Sequence, residues 1–165
     1  MDVVQGLVPT DLLKDVIQIG IIVEDLQRPI EGMRKVFGVE PTKVFEAKYP
    51  WVRYRDEPVE SWATIASYMQ FGVELEFMEP MGGDSAWKDH IIQDCRARGH
   101  AIHHIRFADV EDNDVVSRLL AERGIEIYQE GGSIVTPGGK FTYYDTVDEL
   151  GFVIEVVTRK KDDSR

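Results

Sequence analysis

The chain contains two segments of similar pattern, and this internal repeat constrains the fold more than any other feature of the sequence. In each segment a short apolar strand leads through an acidic turn into an amphipathic helix that ends at glycine, and a glycine-led strand follows later. The first segment reads VIQIGIIVEDLQRPIEGMRKVFGVEP with GVELEFM, and the second reads IHHIRFADVEDNDVVSRLLAERGIEI with GFVIEVV. Such self-similarity indicates a duplicated structural unit.

The order of elements within the repeat predicts one βαβββ module in each half of an α+β fold. We place the first module at residues 15–80, the second at 99–157 and a linking helix at 84–98, within a single domain that spans residues 1–165. Eight strands then form one curved sheet, antiparallel or mixed, that encloses a cleft, proposed below to hold a metal, and carries the helices on its outside. Each helix should pack on the sheet through an apolar stripe. The stripes are Ile30, Met33, Val36 and Phe37 in the first helix, and Val115, Val116, Leu119 and Leu120 in the second.

Four polar residues interrupt strands that are otherwise apolar, and strand alternation places all four on the face opposite the helices. They are Gln18 in VIQIGIIV, Glu76 in GVELEFM, His104 in IHHIRF and Glu155 in GFVIEVV. The same alternation sends His103 to the packed face. A buried carboxylate without a partner is costly. Two carboxylates that share a cleft with an imidazole and an amide oxygen therefore predict a bound cation.

The repeat selects the same four residues by a separate route. When the glycines that lead the two late strands are aligned, the two glutamates coincide, and when Ile19 is aligned with Ile105 the glutamine coincides with the histidine. The spacing from the first to the last member is 58 residues in the first half and 51 in the second, a difference that one loop accounts for. The four positions therefore form two symmetry-related pairs.

Composition excludes several classes of function. The net charge of −11 and the absence of a basic stripe argue against nucleic acid, because phosphate binding needs concentrated lysine and arginine. No apolar run approaches the roughly 18 residues of a membrane helix, and the amino terminus lacks the pattern of a secretory signal. The single cysteine, Cys95, cannot form an internal disulfide. We expect a cytoplasmic protein that binds neither membrane nor nucleic acid.

Four sequence blocks carry a resemblance to a known family. The blocks QIGIIV, LEFMEP, AIHHIRF and GFVIEV resemble HIGIAV, IELLEP, GIHHIAF and GVLIEL of the methylmalonyl-CoA epimerases. The chain is thereby similar to the vicinal oxygen chelate superfamily, which also contains glyoxalase I, extradiol dioxygenases and bleomycin-resistance proteins. The resemblance covers the chain from about Asp15 to Val157.

The resemblance implies one divalent metal ion per chain. Its ligands would be Gln18, Glu76, His104 and Glu155. Where this chain has glutamine, the epimerases usually have histidine, and the set of Gln, Glu, His and Glu is similar to that of eukaryotic glyoxalase I. Oxygen ligands with one imidazole suit hard and borderline ions, so the metal is Zn, Co, Ni, Mn or Mg.

The resemblance further implies an enzyme that removes a proton alpha to a carbonyl and stabilises the metal-bound enolate, with Glu155 as both ligand and catalytic base. The implied activity is that of an epimerase or isomerase of the methylmalonyl-CoA epimerase type. The second glutamate that the epimerases use has no counterpart in WATIASYMQ, and Glu60 and Glu74 are poor substitutes. Two alternatives stay open: a glyoxalase I-type lactoylglutathione lyase, and a non-catalytic small-molecule binding protein of the same superfamily.

Four further residues are candidates for substrate binding: Trp51, Arg106, Lys140 and Tyr143. The glycine loop before Lys140 fits either a lid over substrate or a plain β-turn, and the aromatic stretch around Trp51 fits either a pocket wall or a hairpin over the core. Arg106 fits either a contact to an anionic substrate group or an ordinary surface charge. By resemblance, the substrate is a small carbonyl or thioester compound and the protein is a homodimer.

Overall fold

A computed structural model of the protein describes residues 6–90, 100–134 and 136–158. Five short helices and ten strands follow one another within these described ranges. They are α1 (Pro9–Leu12), β1 (Val16–Val23), α2 (Gln27–Phe37), β2 (Lys43–Lys48), β3 (Val52–Tyr54), β4 (Glu57–Pro58), β5 (Ser61–Tyr68), β6 (Glu74–Gly82), α3 (Ala86–His90), β7 (His100–Phe107), α4 (Asn113–Ala121), β8 (Ile127–Gly132), β9 (Lys140–Tyr144), α5 (Val147–Leu150) and β10 (Val153–Thr158).

All ten strands belong to one mixed sheet, in the order β2-β5-β6-β1-β7-β10-β9-β8-β3-β4. The predicted α+β fold with a single curved sheet is confirmed, but the sheet has ten strands where the repeat predicted eight. The four strands β1, β6, β5 and β2 of the first half lie in the same spatial order as β7, β10, β9 and β8 of the second. The antiparallel pair β1–β7 joins the halves at the centre.

The registers of the two halves repeat. Ile19 lies directly opposite Ile105 in the central pair, as the aligned repeats require. In the first half Gln18 is the partner of Glu74 in the parallel pair β1–β6. In the second half His104 is the partner of Val153, the residue that stands two positions after the leading glycine just as Glu74 does. The central strands therefore meet their neighbours at equivalent residues. The module boundaries at 15–80 and 99–157 stay predictions.

The two additional strands form a hairpin that crosses from one half to the other. β3 and β4 follow β2 in the chain, yet β3 pairs with β8 at the far end of the sheet. The hairpin turns through Arg55 and Asp56, whose φ angles of 48° and 64° both lie in the left-handed region, as two-residue hairpin loops require. The guanidinium of Arg55 lies over the rings of Tyr54 and Tyr128. Strands β3 and β4 of the first half thus form the edge of the sheet next to β8 of the second half.

Two helices pack on the outer face of the sheet. Ile30 and Met33 of α2 are buried against β1, β5 and β6, and all four predicted stripe residues of α4 are buried. The stripe predicted for the first helix was wrong at its end, since Val36 and Phe37 are 70% and 57% exposed. Both lie in the last turn of α2, where the helix runs past the sheet.

The third helix departs from the prediction that every helix lies outside. Trp87 of α3 is fully buried in the apolar cluster of the concave face, which also contains Ile22 and Tyr143. Only the part of the predicted linking helix up to His90 is described, and Cys95 lies outside the described residues. Among the described helices, none is long and apolar enough to span a membrane.

Candidate metal centre

Strand register brings the chemistry-bearing residues together in two neighbouring rows across the concave face. In one row Glu76 on β6 pairs with Gly20 on β1, and Gly20 pairs with His104 on β7. In the next row Gln18 on β1 pairs with Arg106 on β7, which pairs with Glu155 on β10. The four predicted metal ligands therefore come from the four central strands and converge at one place.

The imidazole of His104 lies at the centre of this cluster. Its Nε2 atom is 3.2 Å from Glu155 Oε2, 3.3 Å from Gln18 Oε1 and 3.5 Å from Glu76 Oε2. All four side chains are buried, and His104 has no exposed surface. The predicted residues are thus brought into contact with one another.

The chemical types of these atoms fit the donor set of a metal site, because three oxygens and one imidazole nitrogen suit hard and borderline divalent ions. Among the described residues, however, no group of three or more His, Cys, Asp and Glu side chains already surrounds a common point as ligands. The side-chain oxygens of Gln18, Glu76 and Glu155 instead surround His104 Nε2. These side chains would have to move apart to admit an ion.

Burial makes the cluster costly without a cation. Burial, reinforced by the carboxylate of Glu74, raises the pKa of Glu76 to about 8. Burial also raises the pKa of Glu155, opposed by His104 and Arg106. Glu155 Oε2 has no hydrogen-bond donor among the described residues. A divalent cation would stabilise both ionised carboxylates, so the donor set fits the metal that the superfamily resemblance implies.

The pKa of His104 moves in the direction that favours metal binding. Burial lowers this pKa from its ordinary value of 6.5, and Glu155 only partly opposes the shift. The imidazole is therefore neutral at physiological pH, and neutral imidazole is the form that binds metal ions.

Three contacts fix the imidazole plane of His104. Its ring is stacked on that of Tyr143 with centroids 5.0 Å apart, and its Nδ1 lies 3.0 Å from Nδ1 of His103. The third contact is with the backbone of β1, because a Cβ at Gly20 would collide with the ring. Glycine at this position lets the imidazole lie directly on the neighbouring strand.

The placement of His103 differs from the sequence-based prediction. It is fully buried and touches the rings of His104 and Tyr143 on the concave face, not the face covered by the helices. The reason is an irregularity in β7, where the pairing shifts register between Gly20/His104 and Ile21/Ile102. A bulge inserts one residue into the ladder and cancels simple alternation.

Several residues that line the cavity were not identified from the sequence. Lys43, Phe45 and Tyr49 line the same cavity as Gln18, Glu76 and Glu155, whereas His104 is not part of the lining. Burial together with Glu76 and Glu155 raises the pKa of Tyr49. Their alternate spacing in KVFEAKY is the signal that would have placed them on one strand face. The cavity has a volume of about 80 Å³ and is open to solvent, so a larger ligand would extend out of it.

The four predicted substrate-binding residues divide into two pairs. Arg106 and Tyr143 line the cavity. Arg106 donates to Asp109 through Nη2 at 2.8 Å, while its buried Nε has no acceptor among the described residues. Lys140 instead pairs with Glu130 at 2.9 Å, and Trp51 is 44% exposed. Neither of these two residues is part of the cavity lining.

Comparison with known sequences assigns the family. Residues 17–143, which are more than half of the chain, match the family model described as Glyoxalase/Bleomycin resistance protein/Dioxygenase superfamily. The protein belongs to this superfamily. No curated protein matches the sequence.

Solved structures with the superfamily fold show the same architecture. A methylmalonyl-CoA epimerase in complex with methylmalonyl-CoA and NH4+ is 24% identical, with a TM-score of 0.55 over 90% of this chain and 96% of that one. The methylmalonyl-CoA epimerase from Mycobacterium tuberculosis is 18% identical, with a TM-score of 0.58 over 94% and 95%. A Streptomyces coelicolor methylmalonyl-CoA epimerase variant in complex with 2-nitronate-propionyl-CoA is 22% identical, with a TM-score of 0.53 over 89% and 98%. At these identities the likeness shows the fold.

Proposed function

We propose that the protein is a divalent-metal-dependent enzyme that removes a proton alpha to a carbonyl group, of the epimerase or isomerase type. The observation that carries this proposal is the convergence of Gln18, Glu76 and Glu155 oxygens on the Nε2 atom of His104 within 3.5 Å. The cluster is buried and lies at the wall of a small cavity. The similarity to structures of methylmalonyl-CoA epimerases supports the same reaction class.

Gln18, Glu76, His104 and Glu155 would hold the metal. Two carboxylates neutralise a divalent charge, and the amide oxygen and the imidazole complete a set suited to Zn, Co, Ni, Mn or Mg. When bound, the ion acts as a Lewis acid that polarises the carbonyl oxygen of the substrate.

Glu155 is the proposed base. Its buried Oε2 lies 3.2 Å from His104 Nε2 but accepts no hydrogen bond from the described residues, and burial raises its pKa. A carboxylate with a raised pKa is a more effective proton acceptor at physiological pH than an ordinary one. Glu155 would take the proton from carbon while the bonding electron pair moves towards the carbonyl oxygen.

Two cations favour a substrate that carries negative charge. Arg106 and Lys43 line the cavity, and the Nε of Arg106 is a buried donor without an acceptor among the described residues. A carboxylate or similar group on the substrate would satisfy it. Because the cavity is small and open to solvent, the reacting acyl group would enter it. The rest of a thioester such as an acyl-CoA would remain outside.

Inversion at carbon also requires a proton delivered to the opposite face. Glu74 lines the cavity, but its two oxygens accept hydrogen bonds from Gln18 and Ser67. Lys43 and Tyr49, which also line the cavity, are the remaining proton-bearing groups that we propose for this step. Exchange of the alpha proton without inversion would indicate that Glu155 works alone.

A glyoxalase I-type lyase is the second candidate, and the ligand set of Gln, Glu, His and Glu favours it. Both reactions begin with removal of a proton alpha to a carbonyl, so substrate decides between them. Incubation in deuterated buffer with methylmalonyl-CoA, and separately with methylglyoxal plus glutathione, distinguishes the two. We expect deuterium incorporation and epimerisation with the thioester.

Elemental analysis of the purified protein tests the basis of both candidates. We expect one divalent metal ion per chain, lost on treatment with a chelator and recovered on addition of metal. If the chain binds no divalent ion, the proposed enzyme fails and a non-catalytic binding protein becomes the better description. Light scattering tests the proposed homodimer, which a monomer at micromolar concentration would contradict.

A further inference from the structure

We infer that Glu74 is a positioning residue whose carboxylate orients the amide of Gln18, so that the amide oxygen and not the nitrogen faces the metal position. The inference rests on the proposed function, since it concerns one of the proposed ligands. Gln18 Nε2 donates to Glu74 Oε2 at 2.7 Å, and Gln18 Oε1 lies 3.3 Å from His104 Nε2.

The chemistry of an amide explains why orientation matters. A glutamine side chain carries an oxygen that can bind a cation and a nitrogen that cannot, and rotation of the terminal amide exchanges the two. An ionised carboxylate only accepts hydrogen bonds. Placed beside Gln18, Glu74 therefore accepts from the nitrogen and leaves the oxygen directed at the cluster.

Backbone register places the two side chains side by side. Gln18 and Glu74 are direct partners in the parallel pair β1–β6. Glu74 also lies two residues before Glu76, so strand alternation sends both carboxylates to the concave face. A second hydrogen bond, from the hydroxyl of Ser67 to Oε1, holds the other oxygen of Glu74. Ser67 therefore holds one oxygen of the carboxylate while the other accepts from the amide.

The consequence is a site with three oxygen ligands and one nitrogen ligand. Because Glu74 is occupied by two donors, it supports a ligand and does not compete with Glu76 for the ion. Residues that orient a ligand typically change metal affinity by about 10–100-fold when removed.

The test is a double-mutant cycle on metal affinity. Dissociation constants for Co²⁺ are measured by competition with a chelating indicator in the parent, Glu74→Leu, Gln18→Ala and the double variant, with thermal unfolding of each to confirm folding. We expect Glu74→Leu to weaken Co²⁺ binding about 10–100-fold in the parent but less than about twofold in the Gln18→Ala background. The visible absorption of bound Co²⁺ should also change in Glu74→Leu, because one ligand is misplaced.

Two further variants separate orientation from simple charge. Glu74→Gln removes the charge but keeps an oxygen that accepts from Gln18, so it should restore most of the affinity lost in Glu74→Leu. Glu46→Leu removes an exposed carboxylate from β2 and should leave Co²⁺ binding unchanged.

The outcomes distinguish this inference from the proposed function. If Glu74→Leu weakens binding equally with and without Gln18, or if Glu74→Gln is as weak as Glu74→Leu, Glu74 acts through its charge and the inference is wrong. A parent that binds Co²⁺ with a Glu74→Leu variant that binds equally well also overturns it, while the metal site stands. A folded parent that binds no metal overturns the proposed function itself.

Discussion

Gly20 shows how one missing side chain shapes the site. It pairs with Glu76 on one side and His104 on the other, and its Cα lies beneath the imidazole. A strand interior normally disfavours glycine, because glycine loses more conformational entropy and packs nothing. At Gly20 this loss of stability is offset because the absence of a Cβ lets the His104 ring lie directly on the backbone of β1.

Gly20→Ala should therefore displace His104 from the cluster. The added methyl group would collide with the ring, so we expect metal affinity to fall by at least about 100-fold and stability by about 1–3 kcal/mol. Gly32→Ala is the matched control, because Gly32 lies in α2 with open space at its Cβ. That variant should gain about 0.5–1 kcal/mol and bind metal normally. Equal metal affinity in both variants, measured by titration, would contradict the placement of His104.

Substitutions at the two glutamates should separate base from ligand. Glu155→Gln should retain much of the metal, since an amide oxygen can still coordinate, while exchange of solvent protons into substrate falls by about 10²–10⁴-fold.

Glu76→Gln should weaken metal binding, and the rate of proton exchange should recover at saturating metal. His104→Ala should lose the metal, because the set has no other nitrogen. If all three variants bind metal like the parent, the four residues are not the site.

Among the secondary-structure elements, the β3–β4 hairpin is held by contacts to two neighbours, β8 and α3. β3 pairs with β8, Tyr54 and Tyr128 both donate to Asp89 near the end of α3, and Arg55 lies over both rings. These contacts offset a turn in which two residues other than glycine adopt left-handed φ angles. The hairpin therefore joins the linking helix to the edge of the second half.

Asp56→Gly should stabilise the protein. Its φ of 64° favours glycine, and the backbone carbonyl of residue 56, which accepts from Arg53, is kept. We expect a gain of up to about 1 kcal/mol in the free energy of unfolding, measured by urea denaturation. A loss of stability would show that the Asp56 side chain makes a larger contribution than the strain it imposes.

Sequence predicted those elements whose pattern is local and repeated. Alternation and the duplicated blocks predicted the central strands and placed Gln18, Glu76, His104 and Glu155 on one face of the sheet. A hairpin around Trp51 was one of the two interpretations, but its pairing with β8 was not predicted, because that partner strand is distant in sequence. His103 was misplaced because a bulge breaks the period of two. Trp87 was missed because periodicity shows that a residue is buried but not which face of a sheet covers it.

At the scale of the whole molecule, the buried carboxylates link stability to pH. The pKa of Glu76 is about 8 in the folded protein and close to its ordinary value of 4.5 in the unfolded chain. The folded state holds this proton more tightly, so the stabilising contribution is complete below about pH 4.5 and is lost as pH rises through about 8. Bound metal reverses the balance, because it favours the ionised form.

Thermal unfolding of metal-stripped protein tests this linkage. We expect the melting temperature to fall between about pH 5 and pH 8, by on the order of ten degrees, and added metal to stabilise the protein more at pH 8 than at pH 5. Glu76→Gln should flatten the metal-free profile in this window. A metal-free protein that becomes more stable as pH rises would contradict the burial of this carboxylate.

The central pairing of β1 with β7 also has a consequence for the order of events in folding. His104 and Gln18 are 86 residues apart in sequence, so their meeting requires closure of a long loop, and folds dominated by such distant pairings fold slowly, in milliseconds to seconds. Because the proposed ligands come from both halves, metal can be captured only after the halves have joined. During refolding in stopped-flow experiments, the absorption of bound Co²⁺ should therefore develop after most of the far-UV circular dichroism signal. The rate at which this absorption appears would then report the last long-range step of folding.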